Sequence, residues 1–237
     1  MKKGLIISIT INLVFIVFGS YVIHKKGGMD YLQKFFSRKK TDTNTYQGTG
    51  HSKIRTSFFE AMPNDTNEII FLGNSLTEFG EWSEMFGKTK VKNRGISQDK
   101  IIDVINRLDE IVESFPDKIF IMLGTNDLGQ GINITQILSE YEMMIDSIIK
   151  RTPLTRIYIQ SVLPTSAKPS RRNSDIIRIN GGLRKIAEQR SLVYIDLFSL
   201  FSTENNEMNM KYSVDGLHLN GAGYLLWKQA IDGFVKG

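Results

Sequence analysis

The chain has 237 residues, 41% of them hydrophobic and 23% charged, no cysteine, and a formal net charge of +5. Eight of its 30 Lys/Arg and one of its 25 Asp/Glu fall within residues 1–40, which leaves 22 basic and 24 acidic residues for 41–237. The bulk of the chain is therefore slightly acidic, and a nucleic-acid role loses its main support. Zero cysteines leave the redox compartment open, although such a chain tolerates an oxidising space without mispairing.

Taken in order, Met1-Lys2-Lys3 precede an uncharged run from Gly4 to Ile23, and His24-Lys25-Lys26 follow it. The run is long enough to cross a bilayer as one helix. A cleaved signal peptide competes, since Val17 and Gly19 fit a cleavage site, but the apolar run continues past Gly19 and favours a retained anchor over 1–23. Residues 24–50 read as a tether, basic through Lys40 and then polar (TDTNTYQGTG), with little to bury. Its basic residues suit anionic lipid head groups.

A folded domain is expected over 51–237, a normal size for one core. Apolar, strand-like runs lie at 68–73, 90–95 (the weakest), 118–124, 156–163 and 192–198, with helix-period segments at 98–114, 134–150, 173–190 and 222–235. This alternation predicts an α/β fold, a doubly wound three-layer arrangement of about five parallel strands covered by helices on both faces.

The strand ends carry the chemistry. Ile69-Ile70-Phe71-Leu72 is an unbroken apolar run that stops at Gly73-Asn74-Ser75, which places a hydroxyl at the carboxyl edge of a buried strand, where open α/β sheets hold their ligands. Ser75 is thus a candidate nucleophile, in need of a base and of donors for an oxyanion. The second run ends in Asn93-Arg94-Gly95, where a backbone N–H can approach a ligand closely, and the third in Gly124-Thr125-Asn126-Asp127, where a side-chain amide reaches the same edge. Taken singly, either can be ordinary turn chemistry. Of the three histidines, His24 and His51 lie in or beside the tether, so His218, in Asp215-Gly216-Leu217-His218, is the credible base, with Asp215 placed to hold its ring. The alternative for this last pair is a helix cap and its turn. Trp82 and Trp227 sit in helix-like apolar patterns and are expected to pack rather than to face a ligand. The loop 164–172 after the fourth strand and the polar stretch 202–213 are expected at the rim beside the site, where Arg171 and Arg172 are expected to be solvated charges, with contact to an anionic substrate as the alternative.

In order and in context, Gly73-Asn74-Ser75-Leu76, Asn93-Arg94-Gly95, Gly124-Thr125-Asn126-Asp127 and Asp215-Gly216-Leu217-His218 resemble the four blocks of the SGNH (GDSL) hydrolases, and most of all the branch of platelet-activating-factor acetylhydrolase catalytic subunits and bacterial short-chain acyl esterases. The resemblance covers nearly all of 58–235. It implies the flavodoxin-like SGNH fold, Ser75 as nucleophile, His218 as base, Asp215 as its partner, and an oxyanion hole made of the Ser75 and Gly95 N–H groups and the Asn126 amide. It implies no metal or organic cofactor. Two positions depart from the pattern: Asn74 stands where the family usually has Asp, and Gln98 where a Gly often completes the second block. The chain also lacks G-x-S-x-G, which argues against an ordinary α/β-hydrolase elbow.

The expected activity is hydrolysis of small acetyl or short acyl esters of sugars or lipid-like alcohols by a membrane-tethered esterase. An acyltransferase working through the same acyl-enzyme and a catalytically silent glycan- or lipid-binding module are the alternatives. The lysines and arginines after the apolar run argue for a cytoplasmic domain. Its position at the amino terminus ahead of a large domain argues for the outer face, which is the side expected here.

Overall fold

The computed structural model describes residues 49–237, apart from Thr66, Lys88 and Thr89. The proposed anchor and all but the last two residues of the tether lie outside the described residues. Among the described residues, no helix is long and apolar enough to cross a membrane.

Five parallel strands form one sheet: β1 (Ile69–Gly73), β2 (Val91–Gly95), β3 (Lys118–Met122), β4 (Arg156–Gln160) and β5 (Val193–Ile195), in the order β2-β1-β3-β4-β5. Each strand read from the sequence is present, including the weak second one. The third, fourth and fifth are shorter than their apolar runs, because the chain leaves the ladder for the loops that carry polar side chains. The strand order reverses at β1 and β3, which opens a crevice beyond their carboxyl ends.

Alternate strand residues feed two cores. Ile70, Leu72, Ile119, Ile121, Ile157 and Ile159 face one side. There they pack against α4 (Ile101–Asn106), α5 (Leu108–Val112), α7 (Ile134–Arg151) and α8 (Asn173–Gln189). Phe71, Phe120 and Tyr158 occupy matched register on the other face, stacked with centroids 5.0 and 4.5 Å apart. Trp82 of α3 (Trp82–Phe86) continues the stack at 4.2 Å from Phe71 and meets Trp227 of α10 (Gly221–Lys236) edge-on at 4.8 Å. Both tryptophans are fully buried packing residues. Each indole N–H still finds an acceptor, Thr77 O for Trp82 and Gln160 Oε1 for Trp227, both at 2.7 Å. Every such pair contributes about 0.5–1.5 kcal/mol beyond its area.

Two features depart from the sequence reading. The helix expected over 98–114 begins only at Ile101 and is split at Arg107. The Arg107 guanidinium is buried, bonded to Asp99 and Glu110 at 2.9 Å and to Arg94 O at 2.8 Å, while Arg94 reaches Glu110 at 3.1 Å. Burial pushes the Glu110 carboxyl up, against the pull of the two arginines. This network trades helical continuity for a fixed anchor under the loop after β2. In addition, a helix α1 (Gly50–Ala61), capped by Thr49, precedes β1 and starts ahead of the expected boundary at 51. Its Phe59 is covered by the guanidinium groups of Arg55 and Arg94, each 4.7 Å from the ring centre.

Candidate active site

Ser75 is the first residue of the short helix α2 (Ser75–Glu78), directly after β1. As a first-turn residue its N–H has no intrahelical acceptor. Asn74 is the N-cap, and its Oδ1 accepts the Leu76 N–H at 3.1 Å. The local turn bond expected of Asn74 is thus made, while its buried Nδ2 has no partner among the described residues. Gly73 is required by crowding, since a Cβ there would strike the Thr77 side chain and the Met122 carbonyl.

The base arrives from the far end of the chain. His218 Nε2 lies 3.2 Å from Ser75 Oγ, and His218 Nδ1 lies 2.9 Å from Asp215 Oδ2. Asp215 Oδ1 accepts the N–H groups of Leu217 at 2.9 Å and His218 at 2.7 Å, so one carboxylate both shapes the turn and orients the ring. Its burial works against ionisation, but these donors outweigh it and hold the pKa down at about 2. Gly216 makes the turn possible at φ +80°, with its carbonyl accepting the Ser166 N–H at 2.8 Å. The Tyr224 hydroxyl donates to Leu76 O at 2.8 Å and docks α10 onto the nucleophile helix. The exposed ring of Phe79 lies 5.6 Å from that of His218 and forms the lip of the site.

The expected oxyanion donors fare differently. Asn126 lies in the short helix α6 (Thr125–Gly129) after β3, introduced by Gly124 at φ +119°. Its Nδ2 donates to Asp99 O at 3.1 Å and its Oδ1 accepts from Arg171 Nη2 at 3.5 Å, which leaves one amide hydrogen over. Gly95, by contrast, has already spent its N–H on Asn93 Oδ1 at 2.9 Å. The loop beyond it offers another: Gln98, at φ +72°, has no acceptor for its N–H among the described residues and stands next to Asp99, the residue bonded to Asn126. That left-handed backbone explains why glycine suits the position.

A side chain that sequence reasoning missed, Glu78, braces this loop. Glu78 Oε2 accepts from Ser97 N at 2.6 Å and Ser97 Oγ at 2.5 Å, while Oε1 meets His51 Nε2 at 2.8 Å and Arg55 Nε at 3.2 Å. Burial alone would raise the Glu78 pKa, but the Ser97 donors and His51 prevail and lower it. His51, read as a bystander near the tether, thus helps bind α1 to the nucleophile helix. Arg171, read as a solvated charge, is docked: its Nε donates to Thr125 O at 3.0 Å. Arg172 is the exposed one, paired with Asp175 at 2.8 Å.

The sequence profile of the GDSL-like Lipase/Acylhydrolase family matches residues 71–226. The chain belongs to this family. The family is one of lipases and acylhydrolases, the class of activity expected from the sequence. Among curated proteins it is 24% identical over 233 residues to the N-acylneuraminate cytidylyltransferase of Escherichia coli O18:K1:H7, covering 92% of this chain and 53% of that protein. It is 23% identical over 231 residues to a multidomain esterase of Ruminococcus flavefaciens, covering 92% and 28%. The chain therefore spans about half or less of the length of these relatives. Among solved structures, a Streptococcus pneumoniae protein provisionally named a platelet activating factor shares 27% identity at a TM-score of 0.72, over 78% of this chain and 92% of that one. An acetyl xylan esterase has the same fold at 22% identity and a TM-score of 0.60, over 71% and 99%.

Proposed function

We propose that this GDSL hydrolase is a serine esterase that removes acetyl or short acyl groups from sugars or lipid-like alcohols through an acyl-enzyme on Ser75. The observation that carries the reading is the chain of contacts Asp215–His218–Ser75 at the carboxyl end of β1, 2.9 and 3.2 Å long. As Ser75 Oγ bonds to the acyl carbon, its proton passes to His218 Nε2, and the carbonyl π pair becomes the oxyanion. Collapse of that intermediate breaks the bond to the alcohol, which leaves with the proton from His218. Water then attacks the acyl-enzyme, giving its proton to His218, which passes it to Ser75 Oγ as the acyl–oxygen bond breaks and the carboxylic acid leaves. The oxyanion is held by the Ser75 N–H, the spare Asn126 amide hydrogen and the Gln98 N–H in place of that of Gly95. The name of one structural relative, an acetyl xylan esterase, supports a sugar ester. A fluorophosphonate probe should label the wild type covalently and leave Ser75→Ala unlabelled; labelling that persists in Ser75→Ala sinks the assignment.

The uncharged run from Gly4 to Ile23 supports a membrane-tethered enzyme, and its position at the amino terminus ahead of a large domain supports an outward-facing domain, against the lysines and arginines that follow the run. Protease added to intact spheroplasts should digest the domain. Survival until the membrane is permeabilised places it inside instead.

A further inference from the structure

Arg171 holds a full positive charge at an unusual place. Among the described residues it makes no ion pair, although its neighbour Arg172 pairs with Asp175 and a buried carboxylate, Asp127, adjoins Asn126 in sequence. All of its partners are neutral: Thr125 O at 3.0 Å, Asn126 Oδ1 at 3.5 Å and Ser170 Oγ at 3.5 Å. The segment that bears it is locked. Arg171 N donates to Lys168 O at 2.9 Å, Arg171 O accepts from Thr165 Oγ1 at 2.7 Å, and Asn173 clasps Thr165 from both sides. Room for the guanidinium is provided by Gly129, where any Cβ would run into it.

These partners settle how the Asn126 amide is turned. A carbonyl, that of Asp99, can only accept, so the amide nitrogen faces it. A guanidinium can only donate, so the amide oxygen faces Arg171. A cation on the oxygen of an amide draws electron density from its nitrogen and strengthens the remaining N–H as a donor, and in a partly buried site this effect is less screened than in water.

We propose that Arg171 is a positioning residue of the oxyanion hole: it fixes and polarises the Asn126 amide so that its free N–H meets charge developing on the acyl oxygen. The proposal rests on the esterase reading above. Its signature is a loss in kcat that depends on Asn126, because the interaction strengthens only as the oxyanion forms.

The experiment compares wild type, Arg171→Met, Arg171→Lys, Asn126→Ala and the double variant Arg171→Met/Asn126→Ala on 4-nitrophenyl acetate, a neutral ester, with active sites counted by fluorophosphonate titration so that turnover refers to folded enzyme. Arg171→Met should lower kcat about tenfold and move KM less than twofold, and Arg171→Lys should recover part of the loss. In the Asn126→Ala background, Arg171→Met should cost less than twofold more. The proposal is overturned if Arg171→Met slows Asn126→Ala by a further tenfold. It is equally overturned if kcat per site is unchanged and only the thermal midpoint falls. A change confined to KM for esters that carry a carboxylate would overturn it too, since Arg171 also borders a cleft of about 430 Å³ beside Lys168 and Glu207 and would then be reading the substrate's charge. Failure of the wild type to react with the probe defeats the acyl-enzyme reading instead, and so is distinguishable from each of these.

Discussion

Asn93 Oδ1 takes the backbone N–H of Gly95 at 2.9 Å. The same side chain's Nδ2 lies 2.9–3.0 Å from the carbonyls of Thr77, Glu78 and Gly80, which closes the carboxyl end of the nucleophile helix. Asn93 is therefore a rivet between β2 and α2, and Gly95 serves it. Asn93→Ala should lower stability by about 2–4 kcal/mol, since it leaves several polar groups without partners. Gln98→Gly should keep kcat within about threefold and stabilise by up to about 1 kcal/mol, because it removes a side chain from a left-handed backbone while retaining the N–H. Urea melts of both variants, with active-site-titrated kcat, provide the check.

Asn126→Ala should lower kcat by roughly a hundredfold with KM little changed, because the amide binds charge present only in the transition state. A residue that merely shaped the turn would instead lower the thermal midpoint and leave kcat near normal. Both quantities measured on this one variant decide the matter.

For Asp215→Asn the expected result is a folded enzyme with strongly reduced turnover, since an amide leaves the imidazole free to take the wrong tautomer. The same variant should show an altered acid limb of stability. Asp215 has its pKa depressed to about 2 in the fold from an ordinary 3.8, so the stability it contributes is present above the ordinary value and is lost as pH falls through about 2. Acid titration of the fold, followed by tryptophan fluorescence, should lose that component in the variant.

Asp127 gives the opposite sign. Its side chain is buried, with Oδ1 accepting the Ile101 N–H at 3.1 Å and Oδ2 without a partner among the described residues, and burial, more than any neighbouring charge, raises its pKa from 3.8 to about 6. A raised carboxyl favours the fold below pH 3.8, and that advantage is lost as pH rises through about 6. Asp127→Asn can keep the Ile101 bond without carrying a charge. Relative to wild type it should therefore gain stability between pH 4 and 7, by about 3 kcal/mol at most for a shift of some two pKa units. Equal pH slopes for the two proteins would count against a buried ionising group.

What could be read from the sequence follows from what is local. Ile69 to Leu72 make an unbroken apolar run, so β1 and the residue it delivers, Ser75, were legible, and so was the base, because only one histidine lies clear of the tether. The break at Arg107 was not, since Ile105, Leu108 and Ile111 keep a helical period while the cause lies in buried pairs with Asp99 and Glu110. Helix α1 was hidden for the opposite reason. Of its three buried residues two are polar, Ser52 and Thr56, so no apolar stripe announces it. Distance from a strand end could suggest that a loop N–H near Gly95 is used, but not that Asn93 consumes that one and leaves the next turn's. Arg171 was misread because its partners, Thr125 and Asn126, lie 46 and 45 residues away and carry no charge.

The 143 residues between Ser75 and His218 also set a timetable. During synthesis β1, the nucleophile and Asn126 emerge first, and the base follows only 143 positions after the nucleophile. At about 5–20 residues per second the serine waits roughly 7–30 s for its histidine. Throughout that interval the nascent chain holds a hydroxyl no more reactive than any other alcohol, and α10, whose Tyr224 clasps Leu76, has yet to be made. An esterase assembled in this order cannot act on esters before His218 and the helix behind it have been made. Arrested chains of increasing length should gain probe reactivity only after residue 218 and the helix behind it have cleared the ribosome.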